Sequence, residues 1–181
     1  ELQRSLAIAL SGTPGGDGGA AFLNVDKGAV VDIAQNENNM TVGITVTETK
    51  DFRRPNVTAA SLYLGTGEVV LTLDEIIDVS PSSLVNLSFA HIENVTGDVS
   101  LVLSGATVND TDAALLKLTL TEPQRVRAIE LSGTPGGDGA GTVLSVKSAF
   151  VQDIGTNPSM PTQGIVITEI PDTILPTLQS V

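Results

Sequence analysis

Apolar side chains recur at every second position along much of the chain. Ala60, Leu62 and Leu64 alternate up to Gly65-Thr66-Gly67, and Val69, Leu71 and Leu73 lead away from it. Period two puts such residues on one face of a strand, and a glycine turn between two such runs predicts a hairpin. Further strands are predicted at Val85, Leu87 and Phe89 (with Asn86 and Ser88 opposed), at Val99, Leu101 and Leu103, and at Leu116, Leu118 and Leu120. Leu144 and Val146 form another, with Ser145 opposed, as do Ile165 and Ile167, and nearer the start Leu23 with Val25 and Ile44 with Val46. One stretch breaks the alternation. Thr121 is placed to cap a helix, Pro123 suits its first turn, Glu122 faces the positive end of the dipole, and Gly133 stops it. A helix over 121–131 follows, with an equivalent over 2–10.

That equivalence is part of a longer one. Ser-Gly-Thr-Pro-Gly-Gly-Asp-Gly occurs at 11–18 and again at 132–139, and residues 1–60 overlie 122–181 without a gap, about 27 of 60 pairs being identical. The constant offset of 121 makes the chain one and a half periods of a tandem array. Residues 1–53 are then the C-terminal half of one repeat, 54–174 a complete repeat, and 175–181 the first strand of the next. Around seven short strands per repeat suggest an all-β, two-sheet sandwich with a short helix inserted before the glycine-rich loop. The loop lacks the lysine that a phosphate-cradling loop carries after its last glycine, so it reads as a structural turn that ends the helix.

Pro55-x-Val57 and the run Gly67-Glu-Val-Val-Leu-Thr-Leu-Asp-Glu-Ile-Ile-Asp78, with Asp51 and Pro55 echoed by Asp172 and Pro176, carry a resemblance. The stretch resembles the opening of tandem Ig-like repeats, of the bacterial Ig-like and cadherin-like kind, in giant extracellular surface or fibre proteins. It departs from that pattern at Leu73, where phenylalanine is favoured, and at Arg54 or Leu175, where a second proline is common. The resemblance implies an Ig-like sandwich and an extracellular setting rather than an activity.

A net charge of −12 and a pI near 4.2 argue against nucleic acid and anionic membrane as partners. No apolar run reaches the roughly 18–20 residues of a membrane span. Sequons stand at Asn39, Asn56, Asn86, Asn94 and Asn109, whereas Asn157-Pro-Ser is excluded by its proline. They predict N-linked glycans on a secreted or cell-surface protein. Calcium at the junctions is a second expectation. Glu48 and Asp51, copied as Glu169 and Asp172, flank the junction, and Asp74, Glu75 and Asp78 lie in the first hairpin. A hard cation wants six to eight oxygens, and the plain alternative is a solvated acidic rim. Catalysis has little basis: His91 is the sole imidazole, cysteine is absent, and Asp74 and Glu75 fall on opposite strand faces.

These readings converge on a non-enzymatic structural subunit of a glycosylated extracellular filament, hair or surface fibre, needing no cofactor. Its partners are neighbouring copies of the repeat, joined covalently or by strand donation. The alternative is the stalk of a cell-surface adhesin with calcium-stiffened modules. A carbohydrate-binding module is disfavoured, because four phenylalanines and one tyrosine spread along the chain make no aromatic platform.

Overall fold

The computed structural model describes residues 1–81, 84–109 and 111–177. The chain forms two compact units, Glu1–Phe52 with Ile154–Thr156, and Arg53–Asp153 with the residues from Asn157 on.

The first unit begins with α1 (Leu2–Ala9), which buries none of its residues. After the glycine loop, β1 (Phe22–Val25) pairs antiparallel with β2 (Thr41–Thr45), with Leu23 opposite Ile44. The connection between them is held by its own polar side chains. Asp32 accepts the Asn36 amide at 2.8 Å, and Asn38 Oδ1 accepts the Val30 amide at 2.8 Å.

In the second unit, β3 (Val57–Tyr63) and β4 (Glu68–Asp78) form the expected hairpin, turning at Gly67 with φ 72°. Period-two burial persists along the whole of β4, with Val69, Leu71, Leu73, Glu75 and Ile77 inward. The other strands are β5 (Ala90–Asn94), β6 (Ser100–Val102), β7 (Thr107–Val108) and β8 (Ala113–Thr119), then β9 (Thr142–Val146), β10 (Gln152–Asp153) and β11 (Thr162–Ile170). They make one curled sheet in the order β6-β5-β9-β11-β3-β4-β8-β7, with β10 also on β4. β11 changes partner midway. Thr162, Ile165 and Val166 pair antiparallel with β9, then Ile167–Ile170 pair parallel with β3. Its register shifts beside Gly164, whose φ of 69° suits glycine. The curl brings Ile92, Leu144 and Val146 into one core with Leu62, Leu71, Leu116 and Leu118. The chain is mostly β, as its alternation requires.

α2 (Glu122–Leu131) starts where expected, and a capping box explains its position. Thr121 accepts the Gln124 amide while the Gln124 side chain accepts the Thr121 amide. Gln124 Nε2 also donates to the carbonyls of Val102 and Ser104 at 3.0 and 2.9 Å, tying the helix start to β6 and its exit.

One expected strand is absent. Leu87–Phe89 form a 3-10 turn rather than an extended segment. The Asn86 amide donates to the Phe150 carbonyl at 2.7 Å and the Phe89 amide returns to Asn86 O at 2.9 Å, so ladder pairing with β9 begins only at Ala90. Leu87 and Phe89 still pack against the core. The turn shifts the inward phase to Ala90 and Ile92 and puts His91 and Glu93 on the outer face.

Candidate functional site

The glycine-rich loop closes on a carboxylate far along the chain. Beyond α2, Ser132 Oγ donates to Ile129 O at 2.8 Å and lies 2.7 Å from the Thr134 hydroxyl. Glu169 Oε2 accepts the Gly133 amide at 3.0 Å, and its Oε1 accepts the Thr142 amide and hydroxyl at 2.8 and 2.7 Å. Asp138 Oδ1 accepts the Ala140 amide at 2.8 Å. Two glycines of the loop, Gly136 and Gly139, have φ of 98° and 85°. A Cβ on Gly137 would lie 2.0 Å from Ser132 O and 2.6 Å from Ile129 O, so no larger residue fits there. Several of the amides that an anion would use are thus already held by the protein's own oxygens.

The first unit repeats this arrangement 121 residues earlier. Ser11 Oγ donates to Ile8 O at 2.8 Å, the Gly12 amide to Glu48 Oε2 at 2.8 Å, and the Gly19 amide to Asp17 Oδ1 at 2.7 Å. The Ala21 amide reaches Glu48 Oε1 as Thr142 reaches Glu169.

Arg125, on the first turn of α2, organises a second cluster. Its Nε and Nη2 donate to the two Glu122 oxygens at 2.8 and 2.7 Å, and Nη1 donates to Leu64 O at 2.9 Å and Asp172 Oδ2 at 3.0 Å. The Ile174 amide donates to the other Asp172 oxygen at 2.9 Å. Glu122, hydrogen-bonded to Arg125, and Asp172, held by the Ile174 amide and then by Arg125, titrate below the usual carboxylate range, and the guanidinium is pushed up. Arg4 bonds Glu1 and Asp51 at the equivalent position.

The carboxylates expected to hold calcium each accept a donor from the protein itself. Glu48 and Glu169 clamp the glycine loops, Asp51 and Asp172 receive Arg4 and Arg125, and the third set lies on β4. There Asp74 and Glu75 occupy opposite faces, and Arg53 spans both, Nε 2.7 Å from Glu75 and Nη2 3.3 Å from Asp74. Asp74 also accepts the Asn56 amide at 2.8 Å. Asp78 shares the Asp74 face but lies four residues on, roughly 13 Å along a strand. Burial pushes its carboxyl up, and nearby Asp112 adds to the rise.

Among the sequons, Asn39, Asn86 and Asn109 are exposed, and Asn56 and Asn94 are half-buried. Asn86 sits at the start of the 3-10 turn rather than on a strand face, and its Oδ1 accepts the Ser88 hydroxyl at 2.6 Å. Asn56 Oδ1 accepts the Thr162 hydroxyl.

Sequence reasoning missed a concavity of about 440 Å³ on the outer face of β5 and β9, lined among others by His91, Glu93, Asn94, Ser145 and Lys147. His91 lies opposite Ser145 across the ladder. The Ser145 hydroxyl donates to Glu93 Oε2 at 2.8 Å, and His91 Nε2 is buried with no hydrogen-bond partner among the described residues. A serine committed to a carboxylate is not armed by an imidazole. Only the corrected phase of β5 places these residues together; no local spacing in the sequence announces it.

Comparison with models of known protein families, with curated proteins and with solved structures finds no match.

Proposed function

We propose that the chain is part of a structural, non-catalytic protein, a glycosylated extracellular filament, hair or surface fibre built from Ig-like repeats of about 121 residues. The observation that carries this reading is the recurrence of individual hydrogen bonds at that offset: Ser11 with Ser132, Gly12–Glu48 with Gly133–Glu169, Asp17–Gly19 with Asp138–Ala140. Two stretches that build one plan from the same residues are what an array of interchangeable modules requires. In this reading the curled sheet is a sandwich, β6-β5-β9 facing β3-β4-β8, with β11 belonging to both. The common core of Ile92, Leu144, Leu71 and Leu116 supports that view.

The exposed sequons Asn39, Asn86 and Asn109 support an extracellular, sugar-coated setting, and no helix among the described residues is long and apolar enough to cross a membrane. The calcium-stiffened adhesin stalk draws less support. Glu48, Asp51, Asp74, Glu75, Asp78, Glu169 and Asp172 each already accept an N–H or guanidinium donor. Glycopeptide mass spectrometry and electron microscopy of native material test the proposal. Glycans at the exposed sequons on an elongated assembly are expected. An intracellular, unmodified, compact protein would overturn it.

A further inference from the structure

The first unit bears an apolar face whose counterpart in the second unit is covered. Leu10, Leu23 and Val46 are 65%, 51% and 40% exposed, whereas Leu131, Leu144 and Ile167, 121 positions on, are 3%, 0% and 4% exposed. In the second unit the cover comes from residues that precede the helix: Ile92 lies opposite Leu144, and Ala60 opposite Ile167.

Strand length records the same difference. β11 runs on to Ile170 because Ile167–Ile170 pair with Ala60–Tyr63. β2 stops at Thr45, four residues short of the matching point. Beside this stretch lies an open concavity of about 390 Å³, lined among others by Ala7, Ile8, Ala21, Val46 and Glu48. The Val46 amide is held by Ala21 O on the β1 side, and the opposite edge of this stretch, left open, is a template for another strand.

We propose that this face docks residues 53–121 of another copy of the same repeat, in the register that residues 53–121 of this chain take against 122–173. The proposal rests on the array reading above and names its contact surface. A copy of the repeat is the occupant because the face is itself repeated. Gln3, Leu23, Val25 and Ile44 are identical to Gln124, Leu144, Val146 and Ile165, so a surface that fits one fits the other. The incoming strand Ala60–Tyr63 lies parallel to Val46–Thr49, its Ile92 covers Leu23, and its Val102 and Ser104 carbonyls receive the Gln3 side chain as they receive Gln124. Docking leaves the Asn39 sequon open, since Met160 at the matching position stays exposed.

The test is to fuse a second copy of residues 53–121 ahead of Glu1 and compare hydrogen exchange with the 181-residue chain at low concentration. The amides of Thr47 and Thr49, on the edge opposite the Val46–Ala21 bond, should slow at least about a hundredfold, approaching those of Thr168 and Ile170 in the same molecule. A cysteine pair supplies a second readout, because the chain has no native cysteine. Thr49→Cys should cross-link to Tyr63→Cys in the added copy, the pair matching Ile170 and Tyr63, and a pair displaced by two residues should not. Unchanged exchange at Thr47 and Thr49 while Thr168 and Ile170 remain protected would overturn the proposal. So would protection already present in the dilute monomeric 181-residue chain, or protection gained only by self-association of first units. None of these results bears on glycans or filaments, and native material without either would leave the docking result standing.

Discussion

Glu169 Oε2 lies 3.0 Å from the amide nitrogen of Gly133, thirty-six residues earlier in the chain. The same carboxylate holds Thr142, so one side chain pins both ends of the glycine loop against β11. Removing it leaves two amides and a hydroxyl without their acceptor. Glu169→Ala should destabilise the second unit by about 2–4 kcal/mol and Glu169→Gln by about 1 kcal/mol. Urea unfolding of the full chain checks both; equal, negligible losses would mean the clamp is ornamental.

Within that loop, glycine positions differ in what they tolerate. Gly137→Ala drives a methyl into two carbonyl oxygens and should cost more than about 2 kcal/mol, whereas Gly141, with no atom within 4 Å of a built Cβ, should accept alanine within about 0.5 kcal/mol. Thermal melts of the two variants side by side decide it.

Leu23 and Leu144 hold one repeat position in opposite states of burial. Leu144→Ala should cost about 2–5 kcal/mol, while Leu23→Ala should cost less than about 0.5 kcal/mol in the 181-residue chain. Calorimetry on both variants measures the contrast, which should vanish once the first unit is covered.

Acid should act on the second unit from two directions. Glu122 and Asp172 titrate below their unfolded values of 4.5 and 3.8, so their contribution is present above those values and lost as pH falls through the depressed folded pKa. Asp78 is the reverse case. Its folded pKa is raised above 3.8, so stability declines as pH rises from 3.8 through that raised value, and the cost is complete at neutral pH. Asp78→Asn should therefore raise the melting midpoint at pH 7 and leave it unchanged near pH 3. An equal gain at both pH values would show that charge is not the cause.

The sequence disclosed what rests on local pattern. Alternation at Val69, Leu71 and Leu73 located β4, and Thr121 with Pro123 located α2. It failed at Leu87 and Phe89, where the apolar spacing suited a strand but the Asn86 amide is claimed by Phe150, sixty-four residues away. That long-range bond resets the phase, hides the outward position of His91, and with it the groove shared with Ser145. β7 and β10, two residues each, are too short for periodicity to mark. The acidic residues were legible as a set but not in their use. Glu48 and Glu169 are copied at the 121-residue offset, yet nothing in their spacing says that backbone amides of the glycine loops meet them.

β3 opens the second unit and β11 closes it, and the two lie parallel with Ile167 opposite Ala60 and Ile170 opposite Tyr63. Pulling the chain apart at Arg53 and Pro171 drags these strands lengthwise past each other, so all the bonds between them resist together. An antiparallel pair pulled from its open end would peel one bond at a time. Tension along the chain thus meets a shear joint at the point where the unit begins and ends, and the mechanical strength of the whole unit is set by these few rungs rather than by the size of its core.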